Sequence, residues 1–381
     1  MKHLITLIFI AVFALSGCKN KTAEKAETVA TNHPATNAIK YAKGLRLYKY
    51  DGYTIVKVTQ PWPGAKESFT YVMQQKGAIV PDSLKQYPLI NVPVKSIVVT
   101  STTHIPSLEM LGVENTLVGF PDTKFVSSEK TRALIDAGKV REAGQNESLN
   151  TEVIIDLAPD AVVAFGINST NKTLESLQQA GIKVLYNADW TEQSPLGKAE
   201  WIKFFGALYG MDEKADALFT KIENDYASAK ALLQNVKTKP TIVAGAMLND
   251  QWYLPQGGSW AALFMQDAGG DYLWAYSEGT GSLSLSFETV FEKAQNAEFW
   301  IGPSQYTSLA EMEKVNPHYK EFKAFKNRQV YSFSTKTGKT GGLIYYELAN
   351  NHPDLVLKDL IAILHPELMQ GYKLQFFERL K

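Results

Sequence analysis

The amino-acid sequence predicts an α/β protein with two parallel-sheet lobes joined by one long rigid backbone helix, and with a small N-terminal β extension. Short aliphatic strands alternate with helical patterns from residue 95 onward, and this alternation is typical of parallel sheets. It comes in two sets, separated by a segment at 212–236 that contains neither Gly nor Pro. Each set is long enough to form its own lobe, so the segment between them is the predicted connector.

Composition and charge describe an ordinary globular chain and limit its partners. The chain has 381 residues, of which 45% are hydrophobic and 20% are charged, with 39 basic and 39 acidic side chains. Binding to a phosphate backbone needs a basic surface, and the sequence contains no run rich in Lys and Arg. We therefore expect no nucleic acid among the partners.

The N-terminus has the features of a secretory signal that ends in a lipid-attachment site. A basic start precedes an apolar run from Leu4 to Ala14, which is too short to span a bilayer. The residues Leu-Ser-Gly-Cys that end at Cys18 resemble the bacterial lipobox, in which the Cys is lipidated and becomes the new N-terminus. The alternative is a chance Cys after an ordinary signal. We expect a signal peptide at 1–17 and a lipid on Cys18 that anchors the protein without crossing the membrane.

The residues after Cys18 predict a flexible tether. Residues 18–40 are mostly small and polar and contain no Phe, Tyr or Trp, so they cannot bury enough surface to fold. Cys18 is the only cysteine, and the body must therefore be held together without an internal disulfide. A lipid-anchored body on a tether belongs in the bacterial periplasm or on the cell surface.

The body begins with strand-like segments at 41–93. Residues 45–50, 53–60 and 68–75 alternate apolar and polar side chains, and Asp51-Gly52 is a hairpin signal. The sequence predicts a small antiparallel β extension here, to which no function can be assigned from the residues.

The N-terminal α/β lobe is predicted at 94–195. Its strands are expected in 95–101, 116–120, 160–165 and 182–188, and its helices in 105–113, 127–138, 150–158 and 170–181.

The linking helices at 196–237 include the predicted backbone helix at 212–236. Its apolar residues recur at steps of three and four, as on one face of a helix about 38 Å long: Ala215, Leu218, Phe219, Ile222, Tyr226, Ala229 and Leu233. The C-terminal α/β lobe at 238–381 repeats the alternation, from the strand at 239–247 to the closing helix at 354–368.

One short pattern occurs in both lobes. Residues 148–152 read SLNTE and residues 284–288 read SLSFE, and each opens a helical pattern that runs into a short strand. Asn150 and Ser286 are suitable N-caps, so Glu152 and Glu288 fall in the first turn, where the helix dipole favours a carboxylate. Helix capping explains either Glu alone, whereas the repetition calls for a further reason.

Several segments, taken in order, resemble the periplasmic binding proteins for vitamin B12 and ferric siderophores, over about residues 94–381. They are SLEMLGVENTLVGF, NTEVIIDLAPDAVVAF and GGSWAALFMQDAGG. The resemblance implies a monomeric, non-enzymatic component of an ABC importer, without a resident cofactor or catalytic residue. It implies that this component binds a ferric siderophore, cobalamin or heme between the two lobes. It also implies that Glu152 and Glu288 engage arginines on the two subunits of the permease, and paired rim carboxylates suit such a two-fold partner.

The ligand site is expected beyond the C-terminal ends of the strands, in the gap between the lobes. Flat aromatic side chains there would suit a planar or bulky apolar-faced ligand, and a lysine could meet carboxylates. The candidates are Thr103, His104, Phe165, Trp190, Trp252, Tyr253, Tyr306 and Lys336.

The sequence can also be read as a free-metal binder, an enzyme or a capture lipoprotein. A free-metal site would need clustered His and carboxylates, but the His residues beyond the tether are scattered; a heme ligand such as His104 or a cleft Tyr stays open. An enzyme is disfavoured because no nucleophile elbow, P-loop or His-Glu-x-x-His motif is present. A free-standing capture lipoprotein, without an importer, also fits the sequence.

Overall fold

The structure is a computed structural model that describes residues 35–146, 148–169 and 171–381. The predicted signal peptide, Cys18 and most of the predicted tether lie outside the described residues. The compact body begins at Ala35, earlier than the boundary expected after residue 40. Its first residues are held by hydrogen bonds, since the backbone N–H groups of Lys40, Tyr41 and Ala42 donate to the buried carboxylate of Glu200 at 2.6–2.9 Å.

The β extension is a four-stranded sheet. Its strands follow the sequence in the order β1 (Leu45–Tyr50), β2 (Tyr53–Val58), β3 (Phe69–Gln75) and β4 (Leu89–Val92). The first three are antiparallel, as expected, and a fourth strand beyond the predicted segments, β4, pairs with β3 in parallel. This strand is four residues long and lies between Pro88 and Pro93, which is compatible with its place at the edge of the sheet.

The N-terminal lobe contains a five-stranded parallel sheet in the order β11-β10-β5-β6-β7. Its strands in chain order, together with the two-stranded hairpin β8-β9, are β5 (Ile97–Val99), β6 (Leu117–Phe120), β7 (Arg141–Glu142), β8 (Gly144–Gln145), β9 (Ser148–Leu149), β10 (Ala161–Ala164) and β11 (Val184–Tyr186). Its helices are α1 (Ile105–Leu111), α2 (Glu129–Asp136), α3 (Thr151–Leu157) and α4 (Lys172–Gln179).

The connector consists of α5 (Pro195–Ala199), α6 (Ile202–Tyr209) and the long α7 (Asp212–Ala231). The long helix ends at Ala231, before the predicted residue 236, because the chain continues in turns in which the N–H groups of Leu232 and Leu233 bond carbonyls three residues back. Its N-terminal half packs into the core of the N-terminal lobe and its C-terminal half into the core of the other lobe. The helix therefore belongs to both cores, as a rigid connector requires.

The C-terminal lobe has a second five-stranded sheet in the order β15-β12-β17-β18-β19, parallel except for the last pair. A smaller antiparallel sheet, β13-β14-β16, covers one edge. The elements in chain order are β12 (Thr241–Ala244), β13 (Ala246–Leu248), β14 (Gln251–Pro255), α8 (Trp260–Asp267), β15 (Asp271–Tyr272), β16 (Ser282–Leu285), α9 (Phe287–Ala294), β17 (Phe299–Ile301), α10 (Leu309–Val315), α11 (Lys323–Lys326), β18 (Val330–Ser332), α12 (Ile344–Leu348), α13 (Pro353–Leu364) and β19 (Glu378–Arg379).

The two lobes repeat one topology. The second, first, third and fourth main strands lie side by side, as β6-β5-β10-β11 in one lobe and as β15-β12-β17-β18 in the other. The strand order reverses between the first and third strands of each sheet, and ligands of open α/β sheets bind beyond the C-terminal ends of the strands at such a point. The predicted α/β class is thus confirmed. In the described part of the chain, no helix is both long and apolar enough to cross a membrane.

Candidate functional site

A cleft of about 570 Å³ opens between the lobes at the C-terminal ends of the strands. The N-terminal lobe contributes residues that follow β5, β6 and β10, and the C-terminal lobe contributes residues that follow β17 and β18. These are Ser101, Thr102, Phe120, Pro121, Asp122, Phe125, Asn146 and Phe165 on one side, and Gln305, Ser334, Gly341, Leu343 and Tyr346 on the other. The cleft therefore lies where the topology places a ligand.

Local hydrogen bonds fix the loops on the N-terminal side of the cleft. The Ser101 hydroxyl accepts from the Thr103 N–H at 3.3 Å and caps the turn that follows β5. The Thr100 hydroxyl accepts from the Phe165 N–H at 3.2 Å, which ties the end of β5 to the end of β10. These bonds hold Thr102 and Phe165 at the mouth of the cleft without using their side chains.

The wall on the other side depends on a glycine-rich loop. A Cβ on Gly342 would lie 2.1 Å from the Phe125 carbonyl oxygen, and a Cβ on Gly338 would lie 2.6 Å from the Ser127 Cα. Only glycine permits this approach of the two lobes. The loop leads into α12, which presents Tyr346 to the cleft.

The same helix carries a buried carboxylate that joins the lobes. Glu347 is 1% exposed and accepts hydrogen bonds from the N–H groups of Ser127 and Ser128 at 2.5 and 2.9 Å. Burial raises the pKa of Glu347 to about 7, opposed by those two N–H donors and assisted by the nearby charge of Glu109. The lobes are therefore in direct contact behind the cleft.

The cleft itself is aromatic and nearly uncharged. Four aromatic residues line it: Phe120, Phe125, Phe165 and Tyr346. Among the described lining residues Asp122 is the only acidic one, and there is no Lys, Arg or His. Outside the lining, the exposed Lys124 places its Nζ 3.7 Å from Asp122 Oδ1. The buried Asn146 Oδ1 has no hydrogen-bond partner within the described structure, which leaves it free to accept a bond from a ligand.

Of the residues predicted to line the cleft, Phe165 is found there. Thr103 is one residue away from it, with its hydroxyl paired to Ser101 at 2.8 Å while the neighbouring Thr102 lines the cavity.

The prediction that His104 and Trp252 line the cleft was wrong, because both side chains are fully buried. The His104 ring packs 5.7 Å from the Phe205 ring, and burial lowers the pKa of His104 to about 4. It cannot reach a ligand such as heme from this position. Trp252 stacks on Trp300 at 5.2 Å in the core of the C-terminal lobe, since successive side chains of β14 point to opposite faces.

Four further candidates also lie away from the walls of the cleft. Tyr253, on the other face of β14, borders a separate cavity within the C-terminal lobe. Lys336 donates to the carbonyls of Leu374 and Gln375, so its ammonium group already has partners. Tyr306 lies next to Gln305 but packs against the Tyr319 ring at 6.2 Å. The backbone carbonyl of Trp190 accepts a hydrogen bond from the buried Lys198. The indole N–H of Trp190 is buried and has no hydrogen-bond partner in the described structure.

Sequence reasoning missed Phe125, Asn146, Gln305, Ser334 and Tyr346 as lining residues. The one available signal was the glycine-rich stretch at 338–342 after β18, which marks a close approach of two backbones. The other positions have ordinary loop sequences.

Glu152 and Glu288 occupy equivalent places in the two lobes. Each lies in the first turn of the helix that precedes the third strand, on α3 and α9, behind the N-caps Asn150 and Ser286. Both side chains are exposed. Neither carboxylate has an ion-pair partner among the described residues, so both are free for an external one.

In the described part of the chain, no group of three or more His, Cys, Asp or Glu side chains is arranged to hold a metal ion.

Known proteins share this sequence pattern and architecture. Residues 97–337 match the family model described as "Periplasmic binding protein". An "uncharacterized lipoprotein" of Methanocaldococcus jannaschii is 27% identical over 412 residues, covering 99% of this chain and 96% of the relative.

Two solved structures share the fold. The periplasmic heme binding protein from Pseudomonas aeruginosa superposes with a TM-score of 0.55 at 19% identity, covering 76% of this chain and 98% of its own. The triscatecholate siderophore binding protein of Bacillus subtilis, complexed with ferri-bacillibactin, gives a TM-score of 0.54 at 18% identity, covering 73% and 94%. At these identities the likeness shows the fold alone.

Proposed function

The chain belongs to the periplasmic binding protein family, and we propose that it is the lipid-anchored substrate-binding component of an ABC importer, carrying a metal chelate between its lobes. Members of this family are solute-binding proteins, which confirms the expectation of a binder over an enzyme. The observation that carries the proposal is the aromatic cleft of about 570 Å³ at the switch point of the N-terminal sheet. Solved proteins of the same fold are named for binding heme and a ferric siderophore.

The charge of the cleft narrows the ligand class. A trianionic ferric triscatecholate, or the propionates of heme, would need cations against them, because desolvating an unpaired anion is costly. The described lining residues supply one carboxylate and no cation. We therefore favour an uncharged or cationic chelate with apolar faces, such as a corrinoid or a neutral ferric trihydroxamate, packed between Phe165 and Tyr346.

Delivery to a permease is supported by the paired glutamates. Glu152 and Glu288 are exposed and topologically equivalent, and neither has an ion-pair partner in the part of the chain that the structure describes, which suits docking to a two-fold partner. A lipid on Cys18 agrees with the name of the Methanocaldococcus jannaschii relative. The second candidate function, capture without an importer, would leave the repetition of the two glutamates in both lobes unexplained.

Ligand binding is tested by titrating the purified protein with three probes: cyanocobalamin, a neutral ferric trihydroxamate and a ferric triscatecholate. Quenching of intrinsic Trp and Tyr fluorescence or calorimetry reports the Kd. We expect binding of one of the first two, and weaker or no binding of the triscatecholate. Phe165→Ala and Tyr346→Ala should each weaken it at least about fivefold, since a central aromatic contact contributes more than about 1 kcal/mol.

Tyr276→Ala is the matched control, because Tyr276 is 98% exposed and outside the cleft. The proposal is overturned if no probe binds to the folded protein, or if the two cleft variants bind as the control does. Tight binding of the triscatecholate alone would refute the charge argument.

A further inference from the structure

A second cavity, of about 260 Å³, lies within the C-terminal lobe. It occupies the switch point of the second sheet, where Gly245 follows β12 and Gly302 follows β17. The small sheet β13-β14-β16 covers it, with Tyr253 at the edge, and α8 forms one wall. Each lobe thus has a cavity at the position that the topology reserves for ligands.

The lining of this cavity is apolar. It includes Phe264, Met265, Phe333, Tyr345 and Leu360, and none of its described residues carries a charge at neutral pH. A dry apolar cavity of about 150 Å³ is enough to bind benzene. This cavity is larger, so it has room for a fused two-ring aromatic group or a short alkyl chain.

The cavity adjoins the interlobe cleft at three places, and at each of them one residue borders the cavity and the next residue in the chain borders the cleft. Ser304 borders the cavity and Gln305 the cleft, Phe333 the cavity and Ser334 the cleft, and Tyr345 the cavity and Tyr346 the cleft. The Phe333 ring spans the boundary, stacking on Tyr345 at 4.5 Å and meeting Tyr346 edge-on at 5.4 Å. The rings of Phe333, Tyr345 and Tyr346 therefore lie between the two sites.

The mouth of the cavity also exposes apolar surface. Leu248 is 63% exposed and Tyr253 is 43% exposed, although both border the cavity. Large apolar side chains grouped beside an open apolar cavity are typical of a ligand-binding surface.

We propose that this cavity is a second subsite that takes an apolar arm of the chelate held in the cleft. The inference rests on the proposed function and refines it: the transported chelate is amphiphilic, with an uncharged metal-binding core and an aromatic or short alkyl substituent. In this arrangement the core lies against Tyr346 in the cleft and the arm lies on the other side of Phe333, in the cavity of the C-terminal lobe. Transfer of such a group from water lowers the Kd by about tenfold or more.

The test uses two neutral ferric trihydroxamates with the same core, one carrying a naphthyl arm and the other a hydroxyl-terminated arm of similar length. Ala261→Leu fills the cavity from α8, where Leu is a good helix former. Ser282→Phe narrows it from strand β16 and serves as an independent second variant. Ala310→Leu, at an exposed position of α10, is the matched control.

The wild type and Ala310→Leu should bind the naphthyl chelate at least about tenfold tighter than the hydroxyl one. In Ala261→Leu and Ser282→Phe this ratio should fall to about one, with the Kd of the hydroxyl chelate unchanged within about twofold. Equal affinities of the wild type for the two chelates, or a ratio that survives both blocking variants, overturn the subsite while leaving the proposed function intact. If neither chelate nor cyanocobalamin binds the folded wild type, the proposed function itself has failed, and the assignment of the arm fails with it.

Discussion

Replacing Glu347 by Gln should make the stability of the protein rise relative to the wild type as the pH increases from 5 to 8. The carboxylate lies buried between the lobes and accepts two backbone N–H bonds, yet burial dominates and raises its pKa to about 7. Gln matches the shape of the protonated side chain and carries no charge. Its amide nitrogen cannot accept a hydrogen bond, so one of the two N–H groups loses its acceptor, which adds a loss of about 1–3 kcal/mol that does not vary with pH.

The magnitude follows from linkage. The difference between a folded-state pKa of about 7 and the ordinary 4.5, at 1.36 kcal/mol per pH unit, corresponds to about 3 kcal/mol in the free energy of unfolding. Because the folded-state pKa is raised, this stability is fully present below about pH 4.5 and is lost as the pH rises to about 7. The stability of the variant relative to the wild type should thus rise by about 2–3 kcal/mol between pH 5 and pH 8, in addition to the constant loss from the missing acceptor.

Urea denaturation of both proteins at pH 5, 6, 7 and 8 measures this difference, and comparing wild type with variant cancels the other groups that titrate. Glu278→Gln, at an exposed position, is the matched control and should show no pH-dependent difference. The reasoning is refuted if the difference is constant with pH. It is also refuted if the wild type gains on the variant at high pH, because the N–H donors would then outweigh desolvation.

Three other predictions follow from residues outside the cleft. Glu152→Ala and Glu288→Ala should each impair uptake of the ligand while its Kd changes less than about twofold, because neither residue lines the cleft. Both variants should fold, since exposed first-turn carboxylates contribute only about 0.3–1 kcal/mol to stability. A loss of affinity as large as the loss of uptake would contradict docking. Cys18→Ser should leave the protein unprocessed or in the aqueous phase on detergent partitioning, and unchanged partitioning would exclude the anchor. Glu200→Ala should lower the free energy of unfolding by about 3–5 kcal/mol. The substitution leaves the N–H groups at 40–42 and the ammonium group of Lys203 without their buried acceptor. A loss below about 1 kcal/mol in urea denaturation would be inconsistent with that role.

The sequence by itself determined the features that depend on neighbouring residues. Helix and strand periods are local, so the two α/β lobes and the long helix could be predicted from the spacing of apolar side chains. The positions of Glu152 and Glu288 in first helical turns followed from their N-caps for the same reason. Phe165 could be placed at the cleft because it ends a predicted strand.

Only the tertiary structure decided which side chains line the cleft. The alternation of β14 predicts that Trp252 and Tyr253 point in opposite directions, but packing against Trp300 decides that Trp252 is the buried one. The cleft combines Phe165 with Tyr346, and these residues are brought together by the docking of one lobe on the other. Contacts between residues so far apart in the chain depend on how whole surfaces pack, and no local pattern encodes them.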